Sequence, residues 1–170
     1  REGQGVPRND ETAMKWYTLD AEQGYAVAHV YMGLMYGEGE GVPQNYETAM
    51  KWCTLAAEQG YAAAQCNLGV MYAIGQGVPQ NDETAMKWYT LAAEQGYAIA
   101  QYNLGLIYAA GEGVPQNYET AMKWCTLAAE QGYADAQCNL GVMYAIGHGV
   151  PQNDETAMKW YTLAAEQGDA

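Results

Sequence analysis

Apolar residues recur at intervals of three and four positions in two alternating kinds of segment along the chain. In the first kind, Ala85, Trp88 and Ala92 fall on one side of a 3.6-residue helical turn, and charged residues lie on the opposite side. Asn81 precedes this stripe as a suitable N-cap, and Gly96 follows it where a helix can end with a left-handed residue. The pattern therefore predicts an amphipathic α-helix between these two residues.

The second kind of segment is more evenly apolar. It begins near Ala98, places Leu104 and Ile107 on one face, and runs into a GEGVP loop. Gly111 in this loop can adopt a positive φ, and Pro115 prevents the helix from continuing. Because only a short turn separates the two kinds of segment, we expect them to form an antiparallel helix hairpin.

The hairpin repeats with a strict period of 36 residues, which a Val-Pro dipeptide marks at Val6, Val42, Val78, Val114 and Val150. One hairpin cannot bury its apolar face alone, whereas stacked hairpins can. The pattern predicts one all-α domain over residues 1–170 with about nine helices. Its repeat units are predicted at about 8–43, 44–79, 80–115, 116–151 and, as a partial unit, 152–170.

A longer duplication overlies this period. The segment Gln44–Pro79 matches Gln116–Pro151 at every position except the pairs Ala63/Asp135 and Gln76/His148. The match indicates that a block of two repeats was duplicated.

These motifs resemble the Sel1-like repeat family, a relative of the tetratricopeptide repeats. The family pattern joins an LGxxYxxGxGV segment to an AxxWxxxAAxQG segment, and this chain carries NLGVMYAIGQGVP followed by ETAMKWYTLAAEQG. The resemblance covers the whole chain and implies a right-handed α-solenoid that serves as a non-catalytic scaffold or adaptor. The chain opens in a loop and ends after a lone helix of the first kind, so we also expect a fragment of a longer array.

The charge of the chain restricts the classes of partner that it can bind. The net charge is −13 with only seven Lys and Arg residues, which disfavours binding to nucleic acid and to anionic membrane surfaces. We expect a neutral to basic protein or peptide instead.

End-to-end self-association is a further expectation, because the last helix should expose part of Trp160 and Leu163. The sequence leaves the compartment open but favours the bacterial periplasm or secretion over the cytoplasm.

Candidate catalytic chemistry is sparse. The two histidines, His29 and His148, occupy slots that hold Gln or Glu in the other repeats, so we expect solvated polar substitutions. No nucleophile or carboxylate forms a recognisable motif beside them, and the glycine-rich loops lack the strand and the lysine of a phosphate site. The sequence predicts neither an enzyme nor a cofactor.

The four cysteines leave several alternatives open. Cys53 and Cys66 lie symmetrically about a turn, so an antiparallel hairpin places them at nearly the same height. They could be buried thiols, the favoured interpretation, or form disulfides as the pairs Cys53–Cys66 and Cys125–Cys138. A zinc site is disfavoured because each repeat offers two cysteines without a nearby histidine. In a secreted, cysteine-rich branch of the Sel1-like family the stapling cysteines match Ala57 and Gln65 instead.

The resemblance also suggests a binding surface, because related tetratricopeptide arrays line their concave groove with the second helix of each hairpin. It places partner-binding residues at three positions of each repeat: Val27, Ala63, Ile99 and Asp135; Val30, Cys66, Tyr102 and Cys138; and Leu34, Val70, Leu106 and Val142. The first position varies freely, as contact residues tuned one by one would, and as neutral drift would also produce.

An asparagine follows the second groove position in three repeats, at Asn67, Asn103 and Asn139. It either binds the backbone of an extended ligand or makes a structural bond to the adjacent helix. The leading hypothesis is therefore an interaction scaffold. The alternative is a purely structural, consensus-like or designed array without an evolved ligand, which the near-identity of the repeats favours.

Overall fold

The structure, a computed structural model, describes residues 10–168 and the side chains of residues 12–167. Every regular element in this part of the chain is an α-helix, which confirms the predicted all-α class, the nine helices and the 36-residue repeat. The helices are α1 (Asp10–Glu22), α2 (Ala26–Glu38), α3 (Tyr46–Glu58), α4 (Ala62–Ile74), α5 (Asp82–Glu94), α6 (Ala98–Ala110), α7 (Tyr118–Glu130), α8 (Ala134–Ile146) and α9 (Asp154–Gly168).

We call the odd-numbered helices helix A and the even-numbered helices helix B of their repeats. The chain divides into two compact units, Arg1–Gln80 with α1–α4 and Asn81–Ala170 with α5–α9. In the first unit, α2 packs against α1 and α3, and α3 packs against α4. In the second unit, each helix from α5 to α9 packs against its neighbours along the chain.

Local signals set the bounds of helix A. The Asn81 side chain accepts a hydrogen bond from the Thr84 backbone N–H at 2.9 Å, and the equivalent asparagines cap α3, α7 and α9 in the same way. At the other end, Gly96 has a φ of +85° and its N–H donates to the Ala93 carbonyl. This left-handed residue ends the helix and turns the chain into helix B, as predicted.

A glycine in helix B makes room for the next helix A. The Cys53 Sγ of α3 packs against Gly33 of α2 so closely that a Cβ at Gly33 would lie 2.6 Å from it. In the second unit, Cys125 packs against Gly105 and the Tyr161 ring packs against Gly141 in the same arrangement. The exchange of Cys for Tyr on helix A is therefore an exchange of packing groups beneath a glycine.

A buried side-chain relay connects helices within each unit. In the second unit, Gln101 Nε2 donates to the Ala93 carbonyl at 3.1 Å, and Gln131 Nε2 donates to Gln101 Oε1 at 2.7 Å. Gln137 and Gln167 repeat this arrangement around the Ala129 carbonyl. In this relay the buried amide of one glutamine donates to a helix carbonyl and accepts a hydrogen bond from a second glutamine, so its polar atoms have partners.

In the first unit, His29 takes the glutamine's place in the relay. Its Nε2 lies 3.0 Å from the Ala21 carbonyl, its Nδ1 lies 3.2 Å from Gln59 Nε2, and its ring stacks on Trp52 at 5.4 Å. His29 is only 4% exposed, so the expectation of a solvated substitution is wrong for this residue. The reason is that this slot of helix B faces back towards helix A, where an imidazole satisfies the same two partners as an amide.

His148 is half-buried in its loop and its ring lies 4.2 Å from that of Tyr118.

Candidate interaction face

The predicted partner-binding residues all lie on helices B. We call this set the B face of each unit: Val27, Val30, Leu34, Ala63, Cys66, Asn67 and Val70 in the first unit, and Ile99, Tyr102, Asn103, Leu106, Asp135, Cys138, Asn139 and Val142 in the second. Most of these side chains are exposed or half-buried. Cys66 is 2% exposed, so it packs beneath the surface and does not face solvent.

In the first unit, the structure brings three of these residues to one open depression. Leu34, Asn67 and Val70 line it together with Gly33, Gly37, Glu38, Ala49, Cys53, Met71 and Gln76. Gly37 contributes no side chain to this opening, whereas the Cys53 Sγ of α3 fills the space beside Gly33. Apolar walls, two side-chain amides and one carboxylate therefore surround a shallow opening.

In the second unit, an aromatic and acidic group occupies the B face. The rings of Tyr102 and Tyr133 lie 5.3 Å apart at an angle of 59°. Burial raises the pKa of the Tyr102 hydroxyl, and the nearby charge of Asp135 raises it further, with smaller contributions from Cys125 and Cys138. Tyr102 therefore remains a neutral phenol at physiological pH, next to an exposed carboxylate.

The asparagines of the B face differ in their surroundings. Asn139 Nδ2 lies 3.8 Å from the Cys125 Sγ of α7, which is the geometry of a weak hydrogen bond to the adjacent helix A. This contact favours the structural alternative at Asn139. Asn67, by contrast, lines the depression of the first unit.

All four cysteines are thiols in the structure. Burial raises the pKa of the Cys53 and Cys125 thiols to about 11, so both are protonated at neutral pH and are poor nucleophiles and metal ligands. Cys138 is exposed. The pairs Cys53–Cys66 and Cys125–Cys138 stay predictions, and alkylation of the unfolded chain without reductant tests them, because labelling of all four thiols excludes both disulfides.

No metal site or membrane span emerges from the described residues. Between residues 10 and 168, no group of three or more His, Cys, Asp and Glu side chains is arranged to hold a metal ion. Within the same range, no helix has the length and the apolar character that crossing a bilayer requires.

A second exposed apolar feature was missed by the sequence reasoning. One leucine of each helix A is 43–50% exposed, at Leu19, Leu55, Leu91, Leu127 and Leu163. The sequence signal that could have revealed this feature is that leucine occupies the same position of helix A in every repeat. Leu163 was predicted to be exposed because it lies in the last helix, but its equivalents in other helices A are exposed to the same degree. Trp160 is half-buried against the core of the second unit.

Comparison with known proteins identifies repeats and solved structures of the same kind. A family model described as Sel1 repeat matches residues 1–25, 26–61, 62–97, 98–133 and 134–169. A crystal structure of a Sel1 repeat protein from Oxalobacter formigenes is similar with a TM-score of 0.91 and 38% identity, over 99% of this chain and 67% of that one. No curated protein matches the sequence.

Two further solved structures are similar. One is a protective antigen of uropathogenic Escherichia coli strains that displays an SLR fold, with a TM-score of 0.89 and 37% identity over 98% of this chain. This chain covers 36% of that antigen, or about a third of its length. Cysteine rich protein B from Helicobacter pylori shares the fold, with a TM-score of 0.58 and 23% identity over 73% of this chain and 92% of that one.

Proposed function

Because the chain belongs to the Sel1 repeat family, whose members commonly act as protein-interaction scaffolds and are generally non-enzymatic, we propose that it binds a protein or peptide through its B face. Exposed apolar side chains support this assignment, since Val27, Leu34, Ile99, Leu106 and Val142 all present surface to solvent. A scaffold of this kind needs accessible contact residues on rigid helices and no reactive group.

The depression of the first unit is the observation that carries the proposal. Leu34 and Val70 supply apolar walls for a side chain, and the Asn67 amide offers a donor and an acceptor to an extended backbone. The absence of a side chain at Gly37, where an added Cβ would meet only the Ala49 Cβ at 3.8 Å, leaves space for that backbone to approach. An extended segment of a partner fits this combination better than a small molecule does, because the opening is shallow.

The charge of the chain favours one kind of segment. All five lysines, one per repeat, lie on helices A, whereas the helices B carry no lysine or arginine. Glu38 lines the depression in the first unit, and Asp135 lies on the B face of the second. A neutral to basic segment is favoured over an acidic one, which the chain would repel.

A pull-down from extract of the source cell tests the proposal. The bait is the parent chain or one of two double variants, Leu34→Asp with Val70→Asp in the depression and Tyr102→Ala with Ile99→Asp in the second unit. Captured proteins are identified by mass spectrometry. Leu91→Asp on α5 is the matched control, since Leu91 is as exposed as Ile99 but lies on a helix A. The B-face changes should abolish capture and the control should not. Capture that ignores the B-face changes would refute the proposal.

A structural array without a ligand is the second candidate. The observation in its favour is the near-identity of Gln44–Pro79 and Gln116–Pro151, which leaves few positions adapted to a partner. This alternative predicts that the pull-down recovers no specific protein and that B-face substitutions change only stability.

A further inference from the structure

The duplicated segments Gln44–Pro79 and Gln116–Pro151 differ at only two positions, and one of these differences lies on the B face. Asp135 in the second unit corresponds to Ala63 in the first. The neighbouring helix differs at the facing position as well, because Tyr102 corresponds to Val30. The second unit therefore combines an aromatic residue and a carboxylate where the first unit has two small aliphatic residues.

The structure places these two changes together. Tyr102 of α6 packs its ring against Tyr133, the residue before α8, at a centroid distance of 5.3 Å and an angle of 59°. Asp135 lies two residues after Tyr133, in the first turn of α8, and its charge raises the pKa of the Tyr102 hydroxyl. Both rings are half-buried and Asp135 is exposed, so solvent reaches the corner that they form.

Nothing in the described part of the chain neutralises Asp135. The ion pairs of that part include Lys87–Glu83 and Lys159–Glu155, and no lysine or arginine lies within ion-pair distance of Asp135. The corner thus offers the solvent-accessible parts of two tyrosine rings and one carboxylate without an ion pair. Aromatic faces attract cations, and a planar guanidinium can stack on a ring while its N–H groups bind a carboxylate.

We propose that Tyr102, Tyr133 and Asp135 form a recognition site for a cationic side chain, arginine in particular, of the segment bound to the B face. The proposal rests on the proposed function, because that segment is the source of the arginine. It adds that the second unit recognises a cationic side chain at this corner, whereas the first unit has Val30 and Ala63 at the same positions.

Asp135 also lies in the first turn of α8, where a carboxylate interacts favourably with the helix dipole. If that were its whole role, Asp135→Ala would lower the melting temperature and would change no binding. The experiment therefore measures both quantities.

The site is tested by ¹H–¹⁵N correlation spectra of the ¹⁵N-labelled chain, recorded with two probes. These are Nα-acetyl-arginine methylamide and its uncharged citrulline counterpart. The arginine probe should cause saturable shifts of the Tyr102, Tyr133 and Asp135 amides. The citrulline probe should bind about tenfold more weakly, as expected when one charge-assisted contact is lost. Asp135→Ala and Tyr102→Val, which introduce the residues of the first unit, should each remove the preference for arginine.

The first unit provides a gain-of-function control. The double change Val30→Tyr and Ala63→Asp copies the corner and should produce new arginine-dependent shifts at residues 30, 61 and 63. Retained folding of each variant is checked by its melting temperature and by the dispersion of its spectrum.

Equal shifts with the two probes would overturn the proposal. So would an Asp135→Ala variant that melts earlier but binds the arginine probe unchanged. The probes contain no partner protein, so their failure leaves the scaffold function intact if the pull-down succeeds. Binding of the arginine probe without any captured partner would contradict the scaffold function and leave the cation site standing.

Discussion

At the scale of single residues, the contact between Cys53 and Gly33 explains a pattern that looked chemical in the sequence. The cysteine fills a slot beneath a glycine, and tyrosine fills the equivalent slot at Tyr161 beneath Gly141. The recurrence of cysteines follows from duplication of the block, and the burial of Cys53 and Cys125 follows from this packing. Spacing along the chain could not reveal it, because the contact joins neighbouring hairpins.

Substitution of two glycines in α2 tests this packing. Gly33→Ala should destabilise the chain by about 1–3 kcal/mol, because its Cβ would collide with the Cys53 Sγ. Gly37→Ala is the control, since its Cβ would meet the Ala49 Cβ at an ordinary 3.8 Å. It should stabilise the helix by about 0.5–1 kcal/mol. Urea unfolding measures both, and a neutral Gly33→Ala would contradict the packing account.

The buried thiols predict a dependence of stability on alkaline pH. Burial raises the pKa of Cys53 and Cys125 from 9.0 to about 11, so the unfolded chain ionises first. The free energy of unfolding should therefore stay level below about pH 9 and fall by about 2 kcal/mol per thiol as the pH approaches about 10.5. Chemical unfolding of Cys53→Ala and Cys125→Ala should show a smaller alkaline loss than the parent chain. Equal losses would show that other groups cause it.

At the scale of helices and hairpins, local signals determined most of what was predicted. An asparagine cap, a left-handed glycine and a 3.6-residue period are all readable from a short segment, and the structure confirms the helices that they predict. The buried relay of Gln101 and His29 was not readable. A polar residue within an apolar helix looks the same whether it faces solvent or a carbonyl of the neighbouring helix, and only the packing decides.

The relay makes Gln101 a structural residue. Gln101→Leu should cost about 1–3 kcal/mol, because it removes two hydrogen bonds, the one from Gln101 to the Ala93 carbonyl and the one from Gln131 to Gln101. His29→Gln is the matched control and should be close to neutral at pH 7, since it restores the residue that the other repeats use. Urea unfolding of the parent chain and of both variants measures the free energy of unfolding. Equal stability of the parent chain and Gln101→Leu would show that the relay contributes nothing.

At the scale of the whole molecule, the separation of charge is the feature most relevant to function. Cationic side chains are confined to helices A among the described helices, while the net charge is −13. The resemblance to the Sel1-like repeat family was sufficient to predict the repeated helix hairpins and to place the candidate B face on helices B. It could not predict how exposed each residue is, as the burial of Cys66 and the exposure of Cys138 at equivalent positions show.

This charge distribution predicts that partner binding weakens with salt. A basic segment should bind more slowly and less tightly as the ionic strength rises from about 0.05 to 0.5 M, because screening shortens the range of its attraction to the acidic chain. Surface plasmon resonance at several salt concentrations measures both rates. Affinity that is independent of salt would show that the contact is essentially apolar.

The most direct test of the central claim compares two equally exposed leucines of the second unit. Calorimetric titration of the captured partner gives its dissociation constant for the parent chain, for Leu106→Asp on α6, and for Leu127→Asp on α7. The account predicts that Leu106→Asp weakens binding by about tenfold or more, as the loss of one buried apolar contact does, and that Leu127→Asp leaves it unchanged. Weakening by Leu127→Asp with no effect of Leu106→Asp would place the partner on helices A and contradict the account.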